Sequence, residues 1–518
     1  MNKANPIGEN FRNHHIGIHR IRHWQSPIST QIKLPRVLYP SQLHLPSLMA
    51  TRVDRPHILV FPYPDQGHLI PLLDFAHLLA VRGLSITIVT TSTSRPLLDP
   101  LLSQNLPIEP LVLDPNAPPD LRRHPSVPRS RNQMQALLTL SDPIAEWFQA
   151  QPTPPICMVS DFFLGWTYHL SRRLGIPRIA FFPSGAFTLS IFNSLWINLP
   201  QRPLEHADDD EYLIQLTDVP NCPTLPWYHL LANYRRYRKS DPGSEFVRDS
   251  FLANICSWGS VFNSFEALEG IYLNHLRQFG KVWAVGPILP PMDNDRAVVE
   301  RGGSSSIPAA RIVEWLDSKS DHSVVYVCFG SQAVLSDHEV DELGAGLEAS
   351  GVNFLWCIRN AQSWPRLAAL ESRVQDRGLL VKGWAPQVLI LKHRSVGAFF
   401  THCGWNSTME GLVAGVPLLA CPRGADQFLT TRLLVDELGV AVRVAEHGGG
   451  VPKREEVALA LVKVIHGGHE RARAEEVQKL ALGAGQEGGS SFKDFNMFME
   501  ELHILHSSKK SSSATQKD

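Results

Sequence analysis

The stretch Trp384–Gln427, WAPQVLILKHRSVGAFFTHCGWNSTMEGLVAGVPLLACPRGADQ, decides how the rest of the chain is interpreted. Its pattern predicts a strand end, a short helix, an apolar strand at Gly397–Thr401, a tight turn, a helix, another strand and a loop. The turn is HCG at 402–404, and the helix after it starts near Asn406. A helix N-terminus carries unpaired N–H groups and partial positive charge, and a glycine beside it lets a ligand approach closely. This segment therefore predicts a phosphate site.

The same stretch resembles the donor-binding signature of the plant family 1 UDP-sugar glycosyltransferases. That signature is 44 residues long, as is Trp384–Gln427. The resemblance extends from Pro56 to Leu502 and is strongest to the plant group that acts on flavonols and small phenolic acids. It implies the GT-B fold: an α/β architecture in which two Rossmann-like, doubly wound domains face each other across a cleft.

Composition limits the class of protein. A chain of 518 residues with 43% hydrophobic content favours two globular domains, and a net charge of −1 gives no field that attracts nucleic acid. Seven cysteines without a CxxC pair indicate reduced thiols, and no apolar run is long enough to span a bilayer. We expect a cytoplasmic monomer with no nucleic-acid partner and no membrane span.

The chain divides into six predicted segments. These are an N-terminal extension at 1–53, an acceptor-binding domain at 54–290, a linker at 291–308, a UDP-sugar-binding domain at 309–485, a C-terminal helix crossing back to the first domain at 486–506, and a disordered tail at 507–518. Residues 1–48 hold six basic residues and one acid, Glu9. Two interpretations remain open for them: an organelle transit peptide, or an upstream extension of the gene model with Met49 as the true start.

Alternating strand and helix patterns predict a parallel sheet in each domain. Predicted helices include Leu69–Val81, Met134–Gln149 and Phe492–Leu505, and Ser336 with Glu339 forms a capping-box pattern. We expect the segment 199–243 to be irregular and to help wall the acceptor pocket. The predicted strands are His57–Phe61, Ile86–Thr91, Ile156–Ser160, Arg178–Phe182, Val261–Asn263, Val282–Val285, Val324–Phe329, Phe354–Ile358, Leu379–Val381, Ala398–Thr401 and Leu418–Ala420.

His68 is the candidate general base. It follows the first strand, where ligands of such sheets bind, and its imidazole titrates near ~6.5, so it can deprotonate a phenol whose pKa is near ~10. An isolated histidine more often caps a helix or lines a loop, but the QGHLIP context matches the family. Asp161, in VSDFF, matches the family's aspartate that orients this base. Its alternative role is to cap the helix that starts near Phe163.

The remaining site residues are implied by the resemblance, position by position. Trp384 stacks on uracil and the Ala385 backbone reads the base edge. Gln387 and Glu410 bind the ribose, although Ser407 and Glu410 also have capping-box spacing. The diphosphate is held by His402, Asn406, Ser407 and Ser331. Trp405, Asp426 and Gln427 select the sugar, and we assign His68, Ser184 and Ala425 to the acceptor.

Gln427 favours glucose, because in the family a histidine at this position accompanies galactose or, in some relatives, rhamnose. Two departures from the family pattern stand near the site. Cys421-Pro422-Arg423 replaces the common Trp-Pro-Met, and Asp65 replaces a small residue in the loop before His68. The first weakens the prediction of the sugar, and the second makes the acceptor harder to infer.

The chain is therefore predicted to be an inverting O-glycosyltransferase that moves glucose from UDP-glucose to a small plant phenolic, a flavonoid or hydroxybenzoate. UDP-glucose is a co-substrate, and the scheme requires no cofactor and no metal. A catalytically silent UDP-sugar-binding protein is one alternative, although both His68 and Asp161 are present. A nicotinamide-dependent oxidoreductase is the other, although no glycine-rich dinucleotide fingerprint follows the first strand.

Overall fold

The computed structural model describes residues 55–116, 128–290, 305–358, 364–444 and 451–515. The predicted extension at 1–53 and residues 291–304 of the predicted linker lie outside these ranges. Within them, no helix combines the length and apolar character that crossing a bilayer requires.

The first domain is built on a parallel sheet with the strand order β3-β2-β1-β4-β5-β8-β9. These strands are short runs rich in branched and aromatic residues, and most of their side chains are buried, as is usual where helices cover both faces of a parallel sheet. The strands before residue 291 are β1 His57–Phe61, β2 Ser85–Thr90, β3 Ile108–Val112, β4 Cys157–Asp161, β5 Arg178–Phe182, β6 Leu213–Gln215, β7 Thr224–Pro226, β8 Gly259–Phe262 and β9 Lys281–Ala284.

A second parallel sheet follows, with the order β12-β11-β10-β13-β14-β15. Its strands are β10 Val324–Cys328, β11 Asn353–Ile358, β12 Gly378–Lys382, β13 Val396–Thr401, β14 Leu418–Ala420 and β15 Ala441–Arg443. The helices of the two domains are Gln66–Val81, Asp99–Leu102, Arg129–Leu138, Ser141–Gln149, Thr167–Arg173, Ala186–Asn198, Ala232–Arg235, Pro242–Ile255, Glu266–Arg277, Ala309–Asp317, Asp337–Ser350, Trp364–Val374, Gln387–Leu391, Trp405–Ala414, Gln427–Arg432, Arg454–Ile465, His469–Ala484 and Ser490–Thr515.

Each sheet has a point where the strand order reverses. β1 lies between β2 and β4, and β10 lies between β11 and β13. Neighbouring strands end level there, with Phe61 opposite Ser160 and Cys328 opposite Thr401. Since doubly wound sheets bind ligands outside the carboxyl ends of their strands at this point, each domain places one binding crevice here.

The predicted helix Met134–Gln149 is two helices, Arg129–Leu138 and Ser141–Gln149. The break has a local cause. Pro143 lacks an N–H, and in a continuous helix its ring would clash with the carbonyl of Thr139, so the chain starts a new helix two residues before the proline.

The segment 199–243 is more regular than predicted. It contains an antiparallel hairpin that pairs β6 with β7, and a short helix at Ala232–Arg235. Leu231 is the residue of this segment that lines the cleft between the domains. The segment therefore contributes less of the cleft wall than its composition suggested.

The C-terminal helix Ser490–Thr515 packs on the first domain. Phe498 and Leu502 belong to the core that includes Phe75 of the helix Gln66–Val81, and Lys281 pairs with Glu501 at 2.7 Å. The helix extends ten residues beyond the predicted end at Leu505. It thereby includes most of the stretch 507–518, which the polar composition assigned to a disordered tail.

Candidate active site

A cleft of about 510 Å³ opens between the carboxyl edges of the two sheets. Both domains contribute to its walls, and the predicted site residues converge on it. Those lining the cleft are His68, Ser184, Ser331, Trp384, Ala385, Gln387, His402, Trp405, Asn406, Ser407, Glu410, Ala425, Asp426 and Gln427. Asp161 lies behind this surface, fully buried.

His68 and Asp161 form a hydrogen-bonded pair at the reversal point of the first sheet. His68 is the third residue of the helix Gln66–Val81, and Asp161 is the last residue of β4. His68 Nδ1 lies 2.9 Å from Asp161 Oδ2. Because Nδ1 is engaged, Nε2 is the nitrogen that remains to accept a proton, and the imidazole is 20% exposed toward the cleft.

Asp161 also performs the alternative role that the sequence left open. Its Oδ1 accepts a hydrogen bond of 2.8 Å from the Phe163 N–H and caps the short 3-10 turn Phe162–Leu164. The carboxylate therefore serves two partners with two oxygens. Arg178 is fully buried nearby, and its Nη2 donates to the main-chain carbonyl oxygen of Asp161 at 3.2 Å. The guanidinium thus lies close enough to Asp161 for their charges to attract.

The surroundings of His68 set its proton affinity. Burial alone lowers the pKa of His68, but the carboxylate of Asp161, with further contributions from Asp65 and Asp426, outweighs burial and raises that pKa above its usual 6.5. The imidazole is flanked by two aromatic rings, with Phe162 stacked at 5.6 Å and Phe163 at 4.7 Å between ring centroids. These contacts fix the plane of the ring.

The cleft wall beside His68 is apolar. It is formed by Ile70, Phe162, Phe163, Phe192 and Leu231. None of these residues was predicted to line the site, although two of them, Phe162 and Phe163, directly follow Asp161 in VSDFF. A flat, aromatic ligand matches such a wall, because aromatic rings gain from both area burial and offset stacking.

The opposite side of the cleft holds the HCG turn. The helix Trp405–Ala414 begins directly after Gly404, and the imidazole of His402 lies between two glycines. A Cβ on Gly330 would lie 2.4 Å from His402 Nε2, and a Cβ on Gly404 would lie 2.5 Å from it. Since any larger residue would displace the ring, these glycines let His402 and the helix N-terminus face one point in the cleft.

His402 differs from His68 in charge. Burial lowers the pKa of His402 to about 4, so its imidazole is neutral at physiological pH. A neutral imidazole can donate one hydrogen bond to an anion, as can the unpaired N–H groups of the helix N-terminus beside it. Cys403, between them, adopts a left-handed φ of 61°, which turns the chain sharply from strand to helix.

Gln387, Ser407 and Glu410 form one hydrogen-bonded group. Gln387 Nε2 donates to Ser407 Oγ at 3.0 Å and to Glu410 Oε2 at 2.7 Å. The capping-box prediction for Ser407 and Glu410 is wrong. The helix takes Gly404 as its extended N-cap, so Ser407 lies inside the first turn and cannot cap it. The group instead presents a carboxylate and an amide to the cleft.

Of the residues predicted to select the sugar, Asp426 is held by a contact across the cleft and Gln427 by contacts within its own loop. Asp426 Oδ2 accepts a hydrogen bond of 2.7 Å from Ser184 Oγ of the first domain. Gln427 Oε1 accepts from the main-chain N–H groups of Arg423 at 2.7 Å and Gly424 at 3.1 Å. The amide N of Gln427 is therefore the part of this side chain that remains to donate to a ligand.

Trp405 and Asn406 also join the two domains. The Trp405 indole N–H donates to the Asn263 carbonyl oxygen at 2.8 Å, and Asn406 Nδ2 donates to the Gly67 carbonyl oxygen at 2.7 Å. The indole N–H of Trp405 is therefore engaged in a contact between the domains, while its main-chain N–H is the first of the helix. The part of Trp405, Asp426 and Gln427 in sugar choice stays a prediction.

Asp65, the departure beside His68, makes another contact across the cleft. Gln332 Nε2 of the second domain donates to its Oδ2 at 2.7 Å, and Arg129 lies 3.5 Å from its Oδ1. The substitution thus adds a link between the domains and a negative charge near His68. The added charge could be predicted from the loop sequence, whereas the hydrogen bond to Gln332 could not.

Comparison with known proteins gives these features a context. A family described as "UDP-glucoronosyl and UDP-glucosyl transferase" matches residues 283–472. The chain is 44% identical to the flavonol 3-O-glucosyltransferase UGT89B1 of Arabidopsis thaliana over 473 residues, which cover 87% of this chain and 96% of the relative.

Solved structures match the fold. The crystal structure of Arabidopsis thaliana UGT89C1 complexed with quercetin aligns with a TM-score of 0.68 at 32% identity, covering 86% of this chain and 99% of the other. The structure of the same protein with UDP-L-rhamnose aligns with the same TM-score at 33% identity and the same coverage. These neighbours support the predicted GT-B architecture of two Rossmann-like domains.

Proposed function

This chain belongs to the plant family 1 UDP-glycosyltransferases, and we propose that it transfers glucose from UDP-glucose to a hydroxyl of a small plant phenolic, a flavonoid or hydroxybenzoate. One observation carries the proposal: the His68–Asp161 pair opens onto the same cleft as the HCG turn of the second domain. A base for the acceptor and a phosphate seat for the donor thus face each other.

The proposed mechanism is a single in-line displacement with inversion at the anomeric carbon. His68 Nε2 removes the acceptor proton as the new C–O bond forms, and Asp161 holds the imidazole in the required tautomer and stabilises the resulting imidazolium. The helix N-terminus at Trp405 and the neutral His402 stabilise UDP as it leaves. The scheme uses this chain's side chains and the two substrates and needs no cofactor or metal.

Donor binding follows from the second-domain wall. Trp384 stacks on uracil, the Ala385 backbone reads the base edge, and the Gln387–Glu410 pair binds the ribose hydroxyls. Ser331, Asn406 and Ser407 complete the diphosphate site beside His402. The hydrogen bonds among Gln387, Ser407 and Glu410 hold this group in place before the donor arrives, which reduces the ordering cost of binding.

The acceptor class rests on the apolar wall and on the relatives. Phe162 and Phe163 flank His68, so an aromatic acceptor placed against them brings its hydroxyl to Nε2. The similar proteins include a flavonol glucosyltransferase and a structure with quercetin, both of which match a flat phenolic. Ser184 and Ala425 border the same space.

Rhamnose is the second donor candidate, because one similar structure was solved with UDP-L-rhamnose. Gln427 favours glucose over it: the family pattern pairs histidine at this position with galactose or, in some relatives, rhamnose. The fixed orientation of Gln427, with its oxygen held by two main-chain N–H groups, aims an amide N–H at the sugar hydroxyls.

The test supplies the full chain with UDP-glucose, UDP-galactose, UDP-xylose and UDP-rhamnose separately, against a panel of flavonols and hydroxybenzoates, with products identified by mass spectrometry. We expect hexose adducts mainly from UDP-glucose. Deoxyhexose adducts from UDP-rhamnose alone would overturn the donor assignment. Binding of UDP without any adduct would instead favour a silent UDP-sugar-binding protein.

We propose a cytoplasmic location and a monomeric state as well. All seven cysteines are free thiols, and five of them are buried, which fits a reducing compartment. Size-exclusion chromatography with light scattering measures the oligomeric state directly, and a mass of twice the chain would contradict the monomer.

A further inference from the structure

The loop that carries the sugar-side residues begins at Arg423, the residue that departs from the family pattern. This loop, 423–426, connects β14 to the helix Gln427–Arg432 at the carboxyl edge of the second sheet. The Arg423 side chain lines the cleft and is 22% exposed. Its Nη2 forms an ion pair with Oε1 of Glu339, a buried residue in the first turn of the helix Asp337–Ser350. A residue on the donor wall is thus anchored to a different helix.

Glu339 divides its carboxylate between two tasks. Its Oε2 accepts hydrogen bonds from the Ser336 N–H at 2.7 Å and from Ser336 Oγ at 2.8 Å, completing the predicted capping box. Its Oε1 is the oxygen that contacts Arg423. Because the hydrogen bonds to Ser336 already fix the Glu339 carboxylate, its position does not depend on the loop. The Arg423 guanidinium therefore binds a carboxylate that is held in place.

The other end of the loop is also held, while its centre adopts an unusual backbone conformation. Ala425 has a left-handed φ of 52°, which costs free energy for a residue with a Cβ. Gln427 Oε1 binds the main-chain N–H groups of Arg423 and Gly424, and Asp426 binds Ser184. Moving Arg423 would therefore also move the N–H groups that orient Gln427.

We propose that the Arg423–Glu339 ion pair determines donor-sugar specificity by fixing the position of the loop that presents Asp426 and Gln427. The inference rests on the proposed assignment of these two residues to the sugar. Arg423 is a positioning residue, since it acts through the loop. Its charge is compensated by Glu339, so it holds the loop in place without making this wall of the cleft a site for acidic sugars.

The experiment compares R423M, E339Q and the double variant R423M/E339Q. The glutamine keeps an oxygen that can cap Ser336, so the helix start survives while the ion pair is lost. The matched control is R373M, which removes the arginine that pairs with Glu348, a residue on the same helix as Glu339 but away from the cleft. For each variant, kcat/KM is measured with UDP-glucose and with UDP-galactose, and the Kd of UDP is measured by calorimetry.

We expect the ratio of kcat/KM for UDP-glucose to that for UDP-galactose to fall about ten-fold in both single variants, and no further in the double variant, because both remove the same interaction. The Kd of UDP should stay within about two-fold of the original, since Trp384, Gln387 and Glu410, which we assign to the nucleoside, lie outside the loop. R373M should leave the ratio unchanged.

Three results would overturn the proposal: an unchanged ratio in R423M and E339Q, additive effects in the double variant, or an equal change in R373M. If R423M does not fold, R423K is used instead, because lysine keeps the charge but has a shorter side chain. We expect R423K to give a ratio between those of the original protein and E339Q, and an unchanged ratio would refute the proposal. A failure of the proposed function looks different. The original protein would then show no preference for UDP-glucose. The ratio of kcat/KM for the two donors would still change in R423M and E339Q if the ion pair positions the loop.

Discussion

His68 and His402 lie where the strand order of their sheets reverses, and they behave in opposite ways. His68 follows β1, whereas His402 follows β13, which corresponds to β4 of the first sheet, and each lies close to the start of a helix. Yet the pKa of His68 is raised, and the pKa of His402 is lowered to about 4. The same side chain on two Rossmann-like sheets therefore has two protonation states at acidic pH.

The difference in pKa comes mainly from one neighbour, Asp161. Burial disfavours the charged form of both imidazoles, but only for His68 does the structure place a carboxylate, Asp161, within hydrogen-bonding distance. At His402 burial is the cause of the lowered pKa. A base must gain a proton during the reaction, whereas a phosphate contact must remain a fixed donor. In the proposed mechanism, the two domains would thus divide acid–base work from anion binding, chiefly through the presence of Asp161 beside His68.

The largest effect is expected from the variant that removes the proposed base, His68. H68A should lower kcat by about 10²–10⁴-fold with a phenolic acceptor, because general-base catalysis typically contributes that much. The Kd of UDP should not change, since His402 and the rest of the second-domain wall are intact. Steady-state kinetics and calorimetry measure the two quantities, and near-normal transfer by H68A would refute the mechanism.

The next variant removes the carboxylate beside His68, so that His68, like His402, has no charged hydrogen-bond partner among the residues that the structure describes. D161N keeps an oxygen that can cap Phe163 but loses the charge, and its amide group favours the wrong imidazole tautomer. We expect kcat/KM to fall by roughly 10²–10³-fold. His68 must be unprotonated to act, so activity in the original protein is lost as pH falls through the raised pKa. In D161N that acidic limb should move to lower pH, and an unmoved limb would exclude Asp161 as the cause.

Part of this comparison could be predicted from sequence, because strand ends and helix starts are local. Strand, loop and helix patterns placed His68 and Asp161 each at the end of a strand, the family resemblance paired them, and the structure hydrogen-bonds the pair. The HCG turn likewise leads into the predicted helix. Short segments carry such information, since each strand end and helix start is encoded within a few residues.

The contacts that join distant segments could not be predicted. Ser184 meets Asp426 across 242 positions of sequence, Asn263 meets Trp405 across 142, and Glu339 meets Arg423 across 84. No periodicity encodes such pairs, because they depend on how two domains close and how loops dock. The capping-box error at Ser407 has the same origin: the helix start is decided by the turn at Gly404, and the spacing of Ser407 and Glu410 matches a motif by coincidence.

A third prediction tests the His402 side of the comparison. H402A should raise the KM for UDP-glucose roughly ten-fold, as expected for one hydrogen bond to a charged group, with a smaller change in kcat. H402Q restores a neutral donor and should recover part of the loss. Because the pKa of His402 is about 4, this KM should show no inflection from His402 between pH 5 and 8. An inflection present in the original protein and absent in H402Q would show that His402 titrates there.

The smallest effect is expected from variants that test how the charge of Asp65 contributes to the pKa of His68. Asp65 contributes to the raised pKa of His68 and also bonds Gln332 of the second domain. D65N removes the charge and keeps a side chain that can bond Gln332, whereas Q332A keeps the charge and removes the bond. We therefore expect the acidic limb of kcat/KM to move to lower pH in D65N, by less than in D161N, and to stay in place in Q332A. If Q332A moved the limb equally, the link between the domains, and not the charge of Asp65, would set the titration of His68.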